Sequence, residues 1–325
     1  MRLVVFGAGA VGGVVGGRLF EHGHDVVLIA RGAHHRAIAS GGLVLEAPER
    51  TVTLRIPVAA DASEVKFGPD DVVLLAVKTQ DTQSAVQRLA RAAPASTPVV
   101  CLQNGVENER LALRSFANVY SVCVMCPTSH LAPGVVQAHS SPVTGILDLG
   151  RYPAGVDETA IGVARNLEAS TFVSEPRSDI ARWKYAKLLA NLANAVEAVC
   201  GPSARSGPVW ARAKEEGVAC LRAAGIDFAS DAEDAERRGD LLNLRPINGH
   251  ARGGGSSWQS LSRGTGSIET DFITGEIVLL GRLFGIPTPV NIALQGYANM
   301  LACNRTAPGS VTAQAVMRAA REISI

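Results

Sequence analysis

Three groups of residues in this chain have types and spacings that could do chemistry. The first is Gly7-Ala8-Gly9-Ala10-Val11-Gly12, which has the G-x-G-x-x-G spacing of a dinucleotide-binding turn. The first glycine permits a tight turn, the second lets the backbone approach a diphosphate, and the third lets a helix pack on a strand. The N-terminus of that helix then faces the phosphates. A Gly-rich structural turn gives the same string, so context matters. An apolar run, Leu3 to Phe6, precedes it. Val11, Val14, Val15, Leu19 and Phe20 follow at helical spacing, and Asp25 to Ala30 reads as a second strand.

The second group sits where strands end, the edge at which doubly wound sheets bind ligands. An acid after the second strand would hold the ribose 2′-hydroxyl of NAD. Here the chain reads Ala30-Arg31, and arginine is a planar donor suited to a 2′-phosphate. A solvated arginine reads the same way, but the missing acid points to NADP(H). Val77-Lys78-Thr79-Gln80 and Gln103-Asn104-Gly105-Val106 follow two further apolar runs, where ligand contact and ordinary turn chemistry are both open. Lys78, Gln103 and Asn104 join the turn and Arg31 as expected cofactor-binding residues. His34 and His35 read as solvated residues of a loop.

The third group lies on an apolar helix, Ala181 to Asn194. Lys187, Asn191 and Asn194 stand at i, i+4 and i+7 and so share a face. A lysine and two carboxamides there are costly unless they bond to something, although a solvated stripe would also fit. Such a lysine can donate a proton to a carbonyl oxygen as hydride reaches the carbon. Ser256-Ser257 and Glu269 complete the set. Ser267 to Asp271 reads as a helix start capped by Ser267 or Gly266, where Glu269 would also answer the helix dipole.

These groups need a scaffold. Strands are expected at Leu3–Phe6, Asp25–Ala30, Leu43–Glu46, Thr51–Val58, Val72–Val77, Val99–Leu102 and Val119–Val124, with a helix from about Thr82 to Ala93. Residues 133–149 read as strands and turns, and Phe172-Val173 as a last strand. After Pro176 the period turns helical: 178–200, 209–224, a polar stretch to Leu244, 268–284, 291–304 and 311–322. The expected fold is α/β, with an N-terminal Rossmann-type doubly wound, mainly parallel sheet over 1–176. A C-terminal all-helical domain follows over 177–325.

Composition narrows the function classes. The 325 residues are 47% hydrophobic and 19% charged with net charge +1, which describes a globular chain with no global field to attract nucleic acid. No apolar stretch is long enough to span a bilayer and no signal core follows Met1, so a cytoplasmic protein is expected. Six cysteines are scattered. Cys123 and Cys126 form a C-x-x-C pair in an apolar run without a second pair at zinc spacing, which reads as buried thiols and no metal.

The ordered combination resembles the ketopantoate reductase (2-dehydropantoate 2-reductase) family over nearly the whole chain. The similarity rests on GAGAVG with Arg31, on LAVKTQ, QNGVEN and the KLLANLANA helix, and on Ser256-Ser257 with IETD and ITGEIVLLGRLFGIPTPVN. It implies a Rossmann domain binding NADPH and a helical domain closing over a 2-keto acid. By this resemblance Lys187 donates the proton and Glu269 orients or tunes it. Asn104 and Lys78 match positions near nicotinamide and substrate, Asn191 a substrate-binding asparagine and Ser257 a carboxylate-binding serine. The family's second helix asparagine falls at Ala195 here; Asn194, one residue earlier, is counted with the substrate-binding residues. An asparagine of the loop is replaced by Gly254. An aspartate after the serine pair is missing from the stretch reaching Leu261. These departures fall on the substrate side.

The implied reaction is NADPH-dependent reduction of 2-dehydropantoate to (R)-pantoate. The same chemistry on another 2-keto acid or carbonyl is the alternative, and a non-catalytic NADP(H)-binding sensor is the rival from another class. The expected partner is a small 2-keto acid, with neither nucleic acid nor membrane; a homodimer is left open, because the sequence does not give the oligomeric state.

Overall fold

Runs such as Leu3-Val4-Val5-Phe6 lack polar alternation, so they suit strands buried on both faces. In the computed structural model, which describes residues 1–323, they form the middle of a sheet. The chain divides into two units. One contains Met1–Lys184 and Ser230–Arg252; the other contains Tyr185–Ala229 and the described residues from Gly253 onward.

The first unit runs β1 (Arg2–Phe6), α1 (Ala10–Glu21), β2 (Val26–Ile29), α2 (Gly32–Gly41), β3 (Leu43–Glu46), β4 (Thr51–Leu54) and β5 (Val58–Ala59). It continues with β6 (Asp71–Leu75), α3 (Thr79–Ala90), β7 (Val99–Cys101), α4 (Asn108–Leu113) and β8 (Val119–Met125). Then come β9 (Thr128–Ser129), β10 (Val135–Ala138), β11 (Gly145–Arg151), α5 (Glu158–Glu168) and β12 (Phe172–Val173). Eight strands form one sheet in the order β12-β11-β8-β7-β6-β1-β2-β5. Every neighbouring pair is parallel except β8 and β11. Successive side chains of β1 alternate between faces: Leu3 and Val5 enter one core cluster, Val4 and Phe6 the other. Each leucine or valine so buried contributes roughly 1.5–3 kcal/mol before entropy is counted.

A second sheet, β4-β3-β10-β9, explains one departure from the sequence reading. Thr51–Val58 is not one strand. β4 pairs with β3, whereas β5 pairs with β2 in the main sheet. The chain changes sheets across Arg55–Pro57, where proline has no N–H for a ladder but its carbonyl accepts from Leu28 N at 2.8 Å.

α6 (Ile180–Cys200) begins in the first unit and continues in the second, which adds α7 (Pro208–Ala223). α8 (Asp231–Arg238) follows in the polar stretch and belongs to the first unit, so that unit is not continuous in sequence. The reason is electrostatic. Asp148 on β11 is buried and accepts from Arg177 at 2.9 Å and from Arg237 of α8 at 2.7 and 2.6 Å. Arg182 meets Glu233 of α8 at 2.8 and 2.9 Å. Charge-assisted, forked contacts of this kind hold a segment with few apolar residues.

The second unit is completed by α9 (Ser256–Ser262), α10 (Thr274–Phe284), α11 (Pro289–Cys303) and α12 (Ala313–Ile323). The helix expected over 268–284 is interrupted. Glu269–Phe272 is a 3-10 turn preceded by Ile268, with no side-chain cap from Ser267 or Gly266. Thr274 Oγ1 donates to Thr270 O at 3.0 Å, a local bond that competes with the regular helix ladder. Glu216 on α7 is buried and accepts from Val290 N, Asn291 N and Asn291 Nδ2, which ties it to the start of α11. No helix among the described residues is long and apolar enough to cross a membrane.

Candidate functional site

The Gly-rich turn links β1 to α1. Gly7 has φ +110°, and a Cβ there would lie 2.8 Å from Val77 N. At Gly12 a Cβ would lie 2.2 Å from Gly7 O, so only glycine lets α1 start this close to the strand. At Gly9 an added Cβ meets nothing within 4 Å, which leaves room beside the backbone. Gly9 is the residue that caps α1, so this room lies where the N–H groups of a helix start can face an anion. Ala8, Ala10 and Val11 complete the turn into the helix.

Arg31 is exposed at the N-terminus of α2, and its guanidinium meets Asp81 Oδ2 at 3.2 Å. The sequence showed no acid after β2, yet the fold brings one from the first turn of α3. Lys78 precedes α3 and is half-buried. Gln103 is buried and donates to Val77 O at 2.7 Å and Thr82 Oγ1 at 2.8 Å. Asn108, to which sequence reasoning gave no role, is fully buried. It donates to Asn104 O at 2.9 Å and Thr79 Oγ1 at 3.2 Å, and accepts from Thr82 Oγ1 at 2.7 Å. Gln103 and Asn108 thus bind the turn after β6 to the turn after β7, and half-buried Asn104 is held by its backbone.

His34 and His35 are not in a solvated loop; they belong to α2, and both are partly buried. His34 Nε2 donates to Ala8 O at 2.6 Å, and its Nδ1 accepts from Gly134 N at 2.8 Å. Its ring lies 4.2 Å from that of His130. Burial and the neighbouring His130 push its pKa down to about 4. His139, buried against Ser129 and near Arg252, is pushed down to about 4 by the same effect of burial. Both rings are neutral when folded but take up protons near pH 6.5 when unfolded. Their contribution to stability is therefore complete above about 6.5 and is lost as pH falls toward about 4. Thermal unfolding followed from pH 7 to 4 is expected to show this decline, and replacing both histidines with glutamine should flatten it. Equal pH slopes in the two proteins would contradict the assignment.

In the second unit α6 carries half-buried Lys187, buried Asn191 and half-buried Asn194. Asn194 Nδ2 donates to Asn191 Oδ1 at 3.3 Å, and Asn194 Oδ1 accepts from Arg205 at 3.1 Å. Glu197, one turn on, is buried and accepts from Arg205 at 2.5 Å and from Gly255 N at 2.9 Å. This chain seats the start of α9 against α6: a Cβ at Gly255 would lie 2.7 Å from Asn194 Oδ1. Buried Ser257 stands in the first turn of α9, and buried Glu269 opens the 3-10 turn before α10. Sequence reasoning missed Glu197 and Arg205.

Lys184 sits three residues before Lys187 and has a different task. It is buried in the first unit, where Nζ donates to Glu109 Oε1 at 2.6 Å and Gln103 O at 3.1 Å. Among the described residues no disulfide joins the six cysteines, and burial pushes the Cys126 thiol up to about 12.

Comparison with known proteins decides the family. The model of ketopantoate reductase PanE/ApbA matches residues 3–153, and that of the PanE/ApbA C-terminal domain matches residues 179–302. The chain belongs to the ketopantoate reductase family. A 2-dehydropantoate 2-reductase of Pyrococcus horikoshii is 28% identical over 304 residues, covering 90% of this chain and 95% of that protein. The crystal structure of a PanE/ApbA family ketopantoate reductase from Ralstonia eutropha JMP134 superposes with a TM-score of 0.79 at 31% identity, covering 94% of this chain and 99% of that one. D-mandelate dehydrogenase with NADH and anilino(oxo)acetate shares the fold, with a TM-score of 0.79 at 22% identity and coverage of 94% and 99%. The chain is thus an oxidoreductase of the 2-dehydropantoate 2-reductase type, in a family of nicotinamide-dependent reductases that act on small keto acids.

Proposed function

We propose that the chain reduces a 2-keto acid with NADPH, and that 2-dehydropantoate, giving (R)-pantoate, is its substrate. The observation that carries this is the helix α6 of a family member, on which half-buried Lys187 and buried Asn191 stand one turn apart. When bound, the nicotinamide supplies the hydride. Lys187 donates the proton to the carbonyl oxygen on which negative charge develops. Glu269 orients Lys187, while Asn191, Asn194 and Ser257 bind the keto acid and its carboxylate. Gly7 to Gly12 receive the diphosphate, Arg31 the 2′-phosphate, and Lys78, Gln103 and Asn104 form the wall near the nicotinamide. A steady-state assay of NADPH oxidation against a panel of 2-keto acids tests the proposal.

The Arg31–Asp81 pair makes the cofactor preference testable residue by residue. Arg31→Ala is expected to weaken NADPH roughly tenfold or more, the scale of a lost charge-assisted phosphate contact, and to leave NADH almost unchanged. Asp81→Asn removes an exposed anion that competes for the same guanidinium. It should tighten NADPH by roughly two- to fivefold. Equal affinity of the wild type for both cofactors would sink the assignment of Arg31.

A second reading keeps the reaction and changes the keto acid. An added Cβ at Gly254 would lie 2.8 Å from Trp258 Cγ, so the indole fills the space beside this residue. The resemblance places an asparagine there. The substrate panel separates the two readings.

A further inference from the structure

We propose that His34 is a positioning residue that aims the Gly9 N–H of the phosphate-binding turn. This rests on the cofactor reading above and adds a residue to it. The peptide between Ala8 and Gly9 is planar and trans, so its C=O and N–H point in opposite directions. His34 Nε2 takes the Ala8 carbonyl at 2.6 Å on one side. The Gly9 N–H therefore faces the other way, and no partner for it occurs among the described residues.

Both ring nitrogens fix this arrangement. Gly134 N donates to Nδ1 at 2.8 Å, which leaves the proton on Nε2, where it meets Ala8 O. The Ala8 amide is held from the other end by its N–H to Ile29 O at 3.1 Å. The Ala8 residue is thus clamped at both of its polar groups, and its neighbour's N–H is left pre-aimed. A donor oriented in advance costs a ligand less to bind. His34 lies on α2, the helix Arg31 opens, so the same ring also ties that helix to the turn.

The predicted effect is on the diphosphate, which NADP and NAD share. His34→Ala should weaken binding of NADP⁺ and NAD⁺ alike by roughly tenfold, measured by calorimetric titration. The turnover number at saturating cofactor should change by no more than about twofold, because the contact is equal in ground and transition states. His34→Gln keeps a donor within reach of Ala8 O and should restore most of the affinity, whereas His34→Asn is too short and should not. If His34→Ala does not fold, the Gln and Asn variants carry the comparison. Wild-type affinity in His34→Ala or in His34→Asn, even with a lowered melting temperature, would overturn the proposal. A loss confined to NADP⁺ would overturn it too. Failure of the wild type to bind either nucleotide would overturn the cofactor reading itself, before any variant is compared.

Discussion

Lys187→Ala is expected to lose roughly 10²–10⁴-fold in kcat, the scale of a missing general acid, while titration shows NADPH binding nearly intact. Hydride addition leaves negative charge on the keto oxygen, and without a proton donor that charge must be borne by the remaining dipoles. The competing lysine, Lys184, is engaged elsewhere. Its ammonium lies 2.6 Å from the Glu109 carboxylate, and the two side chains are 5% and 1% exposed. A kcat for Lys187→Ala close to that of the wild type would contradict the assignment.

Lys184→Ala should act on stability. Removing the ammonium strands a carboxylate in the interior and leaves Gln103 O without this donor. Breaking such a buried pair from one side costs about 3–5 kcal/mol. For a unit of this size that lowers the melting temperature on the order of 10 °C. The double variant Lys184→Met/Glu109→Leu removes both charges and should recover much of the loss, because neither desolvated ion remains. Full wild-type stability in Lys184→Ala, together with lost turnover, would reverse the roles of the two lysines.

The legible parts of this molecule are those in which information is local. Leu43–Glu46 and Phe172-Val173 are strands with the expected bounds, because an apolar run between breakers has few alternatives. The Gly-rich turn was readable because its three glycines, two of which leave no room for a Cβ, fall within six residues. The α2 helix was not: GAHHRAIASG buries Ile38 alone, so it has no apolar stripe to show a period. What binds the site together was also hidden, since its partners are far apart in the chain. His34 reaches Ala8 across 26 positions and Gly134 across 100. Asp81 approaches Arg31 across 50, and Gly255 meets Glu197 across 58. A single sequence gives no sign of such pairings, although unexplained polar residues such as Asn108 and Glu197 mark where to look.

The reaction can be checked by the rate of NADPH oxidation by the purified protein with 2-dehydropantoate, run beside a panel of other 2-keto acids and beside Lys187→Ala. 2-Dehydropantoate is expected to have the highest kcat/KM of the panel, (R)-pantoate to be formed, and the variant to be nearly inactive. Tight NADPH binding with no oxidation by 2-dehydropantoate or any other member of the panel would contradict it.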